Sequence, residues 1–165
     1  VAEPPRGYLI DTNVLSRKSS DEKAPEVRWL MENAALIRIS AVTIAEMRRG
    51  LILKKRKLEA TRDIRVRRRD EPILAAKMAW YETLRGRYAD RIVAIDADVA
   101  EKWADVSVDF PSLRDGDKAI LATALVHGFG VATRNLGDFR ASGVALVDPF
   151  DPATWEEGAD EQSSP

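Results

Sequence analysis

Apolar positions along this chain fall into short runs separated by longer stretches with helical spacing. Tyr8–Ile10, Ile37–Ser40, Arg91–Ile95, Val131–Thr133 and Val144–Val147 are the runs, each short enough to be a buried strand. Between them, Val27, Leu30 and Met31 predict a helix over Pro25–Ala34, with Pro25 suited to its first turn. Ile44, Met47 and Leu51 predict a helix from Ala41, capped by Ser40. Leu74, Met78, Tyr81 and Leu84 predict another over Ile73–Tyr88, with Glu71-Pro72 restarting the chain before it. Asp96 or Asp98 caps a helix over Val99–Val108. Asp117 opens one that Gly128 ends. Strands alternating with helices predict an α/β fold: a mostly parallel five-stranded sheet covered by helices on both faces. One domain is expected over residues 7–150, with 151–165 an acidic, flexible tail to which only Trp155 offers an anchor.

Composition narrows the chemistry. The 165 residues contain no cysteine and one histidine, His127. That removes disulfides, thiolate sites and thiol nucleophiles, and argues against a His-rich zinc site or a Ser-His-Asp triad. His127, at a helix end, is expected to serve terminal carbonyls rather than a metal. Trp29, Trp80, Trp103 and Trp155 are expected in core or interface, unless one is exposed beside the site. No apolar stretch has the length of a membrane span, and the start lacks a secretory layout, so a cytoplasmic protein is expected.

Net charge is −1, but it is unevenly distributed. Arg48 to Arg69 holds eleven Lys/Arg against Glu59 and Asp63, while the chain from Asp148 onward has six acids and no base. A basic belt of this kind attracts phosphate backbones, or it forms a solvated helix face.

In an open parallel sheet, sites form beyond the carboxyl ends of the strands. Asp11 directly follows the first strand and Asp138 comes shortly after the fourth. Asp117 starts a helix. Glu46 lies about 9 Å along its own helix at 1.5 Å per residue, and helical side chains tilt back toward the N-terminus. Four acids can therefore converge on one edge. Grouped carboxylates repel, and a divalent cation with a preference for oxygen is the simplest compensation. Each acid also has a plain structural role open to it. Asp11 and Asp117 suit helix caps, Glu46 suits a pair with Arg48 or Arg49, and Asp138 suits a turn. Asp115, two residues before Asp117, competes with it.

The ordered stretches "YLIDTNVLS", "ISAVTIAEMRRGL", "DKAILATALVHGFGVATRNLGDF" and "VALVDPF" resemble the PIN-domain ribonucleases, above all the VapC-type and FitB-like toxins of toxin–antitoxin pairs. The resemblance implies a parallel α/β PIN-like fold around an acidic pocket that binds Mg²⁺ or Mn²⁺, and hydrolysis of RNA. It places the family's acids on Asp11, Glu46, Asp117 and Asp138 as metal-holding, catalytic residues. It makes Asn13 and Thr133 pocket residues, and puts Asn135 where some relatives carry an acid. It implies a small VapB/FitA-like antitoxin, a homodimer, and promoter DNA bound only through the antitoxin. Arg48, Arg49 and Arg134 are plausible RNA contacts. The long basic segment departs from the shorter connection of many relatives.

Two rival classes remain. A haloacid-dehalogenase-type phosphatase also puts an Asp after an apolar strand, but it wants a second acid two residues on, where this chain has Asn13. A non-catalytic module would keep the acids as structural groups and bind a partner or nucleic acid through the belt.

Overall fold

The computed structural model describes residues 4–16 and 21–156. Five short strands, β1 (Tyr8–Ile10), β2 (Ile37–Ser40), β3 (Ile92–Val93), β4 (Gly130–Ala132) and β5 (Leu146–Val147), form one sheet in the order β3-β2-β1-β4-β5. Every pairing is parallel, with Tyr8 opposite Ile37 on one side of β1 and Ile10 opposite Ala132 on the other. The chain winds outward from β1 in one direction and then returns to lay β4 on its other side. The switch point therefore falls between β1 and β4.

Side-chain alternation along the strands feeds two cores. Ile10, Ile37, Ile39, Ala132 and Val147 face one layer, closed by α1 (Thr12–Leu15), α2 (Pro25–Glu32), α3 (Ala41–Ala60) and α4 (Ile64–Arg87). Leu9 and Val131 face the other, closed by α5 (Ala97–Asp109), α6 (Asp115–His127) and α7 (Leu136–Phe139). The expected architecture, with helices on both faces, is the one observed. Helix α6 is buried along most of its length because its Ala-rich surface lets α5 and the sheet approach closely. Gly128 ends it at φ 67°, the left-handed conformation that glycine adopts without a steric penalty.

The structure departs from the expectations in two places. Pro72 does not restart the chain: α4 begins nine residues earlier at Ile64, where the Asp63 carboxylate accepts the Arg65 N–H at 2.8 Å, and Pro72 lies inside the helix. The exposed location of Pro72 leaves room for the ring and lets solvent serve the carbonyl it cannot bond. The basic belt is thus the distal half of a long α3–α4 helical hairpin. Helix α6 starts at Asp115, so Asp117 is inside its first turn rather than at its cap. The segment after Asp148 is described as far as Glu156. Thr154 hydrogen-bonds Asp148 through both backbone groups, Trp155 packs on the α2 side, and Arg28 covers its ring and pairs with Glu156 at 2.7 Å. The remainder of the expected tail, 157–165, lies outside the described residues. Among the described residues no helix is long and apolar enough to cross a membrane.

Candidate active site

Asp11 leaves the end of β1 at the switch point, and its N–H still donates to Ala132 O at 3.0 Å. It occupies the cap position of α1 but makes no side-chain cap bond. Its Oδ2 instead accepts Thr133 Oγ1 and Asn13 Nδ2, both at 2.8 Å. Thr133 is reached because β4 pairs with β1 and ends beside it; Asn135 N–H in turn donates to Thr133 Oγ1 at 3.0 Å. The carboxylate is only 4% exposed.

Helix α3 brings the second acid. Thr43 is fully buried and donates to Ile10 O at 3.4 Å, which ties the first turn of α3 to the end of β1. Glu46, three residues on, lies on the same helix face. Its Oε2 accepts Thr12 Oγ1 at 2.9 Å. Neither neighbouring arginine takes it: Arg48 reaches Glu82 and covers Tyr81, and Arg49 is exposed. The Glu46 carboxylate also lies against Gly116, where any Cβ would collide with it.

Helix α6 brings the third. Asp117 is 4% exposed in the first turn, where the helix dipole favours a carboxylate. Arg114 grips it through Nε to Oδ2 at 2.8 Å and Nη2 to Oδ1 at 3.3 Å. Asp115 points the other way, with its side chain 89% exposed and Lys118 at 3.6 Å.

These elements form a cleft of about 630 Å³ lined by Asp11, Thr12, Asn13, Ser16, Glu46, Arg114, Arg134, Asn135 and Asp148; Asp117 is tied to it through its hydrogen bonds from the lining Arg114. Burial pushes the Asp11 carboxyl above its ordinary value; the Thr133 hydrogen bond opposes this, and the negative charges of Asp117 and Glu46 add to it. Three carboxylates from distant parts of the sequence therefore feel one another. The Asp117 carboxylate beside Arg114 in turn holds its guanidinium firmly charged, with smaller help from Asp11 and Glu46.

Asp138 is not brought to this cleft. It lies exposed on α7, where burial of the adjacent Phe139 locks the short helix and leaves position 138 facing solvent. The acid that follows β5, Asp148, lines the cleft instead. Its place directly after a strand, like that of Asp11, is the sequence signal that could have found it. Arg134 lines the cleft and lies over Phe150, 5.0 Å from the ring centroid. His127 ends α6 and stacks on Phe129.

The donor set fits a hard divalent cation by type and by charge. Among the described residues, Asp11, Glu46, Asp117 and Asp148 carry four formal negative charges against two positive charges on Arg114 and Arg134, an excess of two negative charges. Among the described residues no three acidic or histidine side chains are gathered tightly enough to enclose a bare ion. Mg²⁺ does not need that, since it keeps several waters and takes one or two carboxylates directly.

Comparison with known proteins agrees with this geometry. The sequence model of the PIN domain family matches residues 8–143. The chain is 30% identical over 152 residues to VapC ribonuclease Y4jK of Sinorhizobium fredii, covering 88% of this chain and 99% of that protein. It is 29% identical over 150 residues to toxin FitB of Neisseria gonorrhoeae, covering 86% and 97%. The crystal structure of FitAcB from Neisseria gonorrhoeae superposes with a TM-score of 0.62 at 28% identity, covering 87% of this chain and 98% of that one. The resemblance read from the motifs thus holds over nearly the whole chain, and the protein belongs to the PIN-domain family.

Proposed function

We propose that this protein is a Mg²⁺- or Mn²⁺-dependent endoribonuclease and the toxin of a toxin–antitoxin pair. The observation that carries the reading is the convergence of Asp11, Glu46 and Asp117, from β1, α3 and α6, around one cleft whose cationic lining, among the described residues, is guanidinium groups. The likeness to a VapC ribonuclease and to FitB supplies the reaction class and the toxin role. Solved relatives form FitAB and VapBC complexes, which supports a small antitoxin partner. The FitAB complex bound to a DNA fragment supports DNA contact by the assembled pair. A homodimer is expected from the same resemblance.

In this mechanism Asp11, Glu46 and Asp117 would hold the ion. When bound, the ion polarises a phosphoryl oxygen and lowers the pKa of water. Thr133 and Asn13 keep the Asp11 carboxylate in one orientation and favour its ionised form. Thr12 orients the Glu46 carboxylate by its own hydrogen bond. Arg114 and Arg134 offer charge-assisted hydrogen bonds to non-bridging phosphate oxygens. Asp148 takes the place of a fourth acid beside the attacking water, in preference to the exposed Asp138. Asp117, not the solvent-facing Asp115, is the third.

The test is cleavage of single-stranded RNA with Mg²⁺ or Mn²⁺ by the wild-type chain and by Asp11→Asn. The variant should fold and lose at least 100-fold in rate. Full activity in the variant would refute the assignment. Absence of cleavage and of growth arrest in the wild type would favour a non-catalytic binding module, and a phosphorylated Asp11 would revive the phosphatase.

A further inference from the structure

The acidic cleft opens into a second, larger-walled groove that the catalytic reading does not use. It runs between α1, α3 and α4, has a volume of about 610 Å³, and shares Thr12, Ser16 and Glu46 with the cleft. Its floor is apolar and aromatic: Met47, Leu51, Trp80 and Tyr81. Its far wall carries two lysines from opposite arms of the hairpin, Lys54 on α3 and Lys77 on α4. Lys54 is eight residues beyond Glu46, about 12 Å along the helix at 1.5 Å per residue.

The two lysines are an unusual pair. Among the described residues neither has a salt bridge, although acids are at hand elsewhere on the hairpin: Glu59 pairs with Lys55, Glu71 with Arg67, and Asp70 with Arg69. Lys54 and Lys77 line the same groove and also share the adjoining pocket, where Asp70 lies with them, and the nearness and charge of Lys77 push the Lys54 amine below its ordinary pKa. Two ammonium groups close together are electrostatically unfavourable, and an anion bound between them offsets the repulsion.

We propose that Lys54 and Lys77 form a clamp for a backbone phosphate of the RNA, and that the single strand runs from the acidic cleft along this groove. The inference rests on the nuclease reading for the location of the scissile phosphate. A groove that combines a cationic wall with an aromatic floor suits a single strand, whose bases stack on side chains while its phosphates meet lysines. Continuity through Thr12, Ser16 and Glu46 means that one strand can occupy both spaces without leaving the surface. Trp80, half-buried in the groove floor, is the tryptophan placed to meet a base.

The experiment measures binding of a labelled single-stranded oligoribonucleotide to the full chain in EDTA, across a range of monovalent salt, so that no cleavage occurs. Lys54→Gln/Lys77→Gln is compared with Lys54→Arg/Lys77→Arg and with Arg65→Gln/Arg68→Gln, which removes equal charge from the exposed start of α4. Loss of two phosphate contacts should lower the slope of log K against log salt by about 1.4, equivalent to roughly 25-fold weaker binding at 0.1 M salt. The arginine pair should restore the slope, and the distal pair should change it by less than half as much. Equal loss in the distal pair would show a diffuse basic belt and overturn the clamp. So would unchanged RNA binding together with lost binding of an acidic peptide or protein, or no RNA binding by the wild type. Cleavage assays separate the two readings. With Mg²⁺, the Gln pair should raise KM and leave kcat within about twofold, the signature of lost uniform binding. An unchanged KM in an enzyme that Asp11→Asn silences would overturn the clamp alone. Lysine-dependent binding without any cleavage would overturn the nuclease reading alone.

Discussion

Gly116 lies in the first turn of α6 with the Glu46 carboxylate pressed against it. A Cβ built there would stand well inside 3.0 Å of Glu46 Oε1 and 3.2 Å from Cδ, with Val42 Cγ1 at 3.9 Å. No backbone atom is in the way, and the backbone is helical, so alanine is conformationally acceptable. What must move is the end of a flexible side chain. Ordinary contact begins at 3.4 Å, so the carboxylate has to retreat on the order of 1 Å, a misplacement that can lower a rate roughly 100-fold. Two opposing effects act on stability. Replacing a helical glycine by alanine gains up to about 1 kcal/mol, and weakening the Thr12–Glu46 hydrogen bond loses a similar amount, about 1 kcal/mol. Gly116→Ala should therefore melt within a few degrees of wild type, while RNA cleavage falls on the order of 100-fold. Mn²⁺ binding, followed by calorimetry, should weaken with it. Combining the change with Glu46→Asp, which shortens the obstructing side chain, should recover part of the metal binding. An alanine variant with wild-type cleavage would show that the position of Glu46 against α6 is irrelevant to the chemistry. A variant that unfolds would show that the clash is not absorbed by the side chain as described.

Asp11→Asn should stabilise the metal-free protein at neutral pH. The folded-state pKa of Asp11 is raised above the ordinary 3.8, so its ionised form opposes folding. Stability is lost as pH rises from about the unfolded value through the raised one, and the variant escapes that loss. Thermal melting in EDTA should show the gain at pH 7 and its disappearance below pH 3.8; a variant less stable at pH 7 would refute the burial argument. Arg114→Gln removes a positive charge that holds Asp117 and faces the same acids as the proposed cation. Metal-free stability should fall, because a buried carboxylate loses its partner, and Mn²⁺ affinity should rise several-fold. Weaker Mn²⁺ binding would show that Arg114 supports the ion's site rather than competing with it.

The periodicity of the chain was sufficient for the architecture. Short buried runs separated by amphipathic stretches leave few choices other than a parallel sheet with two helical layers; all five strands and the site-bearing α3 appear within a few residues of where the pattern places them, and α6 starts two residues earlier. The distal hairpin was less legible, because a proline and a dense run of charge erase the apolar stripe that marks a helix, and α4 continues through both. At the site, Asp11 and Glu46 could be read locally, one by its place after a strand and the other by its reach along a helix.

The choice among the remaining acids depended on contacts between residues far apart in sequence. Asp115 and Asp117 look alike as letters; only the burial of one turn of α6 against β1 and α3 puts one in the cleft and the other in water. Asp138 and Asp148 were distinguished in the same way, by the anchoring of Phe139 and by the position of β5 at the sheet edge. Strand order, Arg114 over Asp117, and the lysine pair facing across the hairpin are likewise tertiary facts. Local pattern records which face of an element is apolar, but carboxylate proximity depends on how separate elements pack, and no short-range signal encodes that distance.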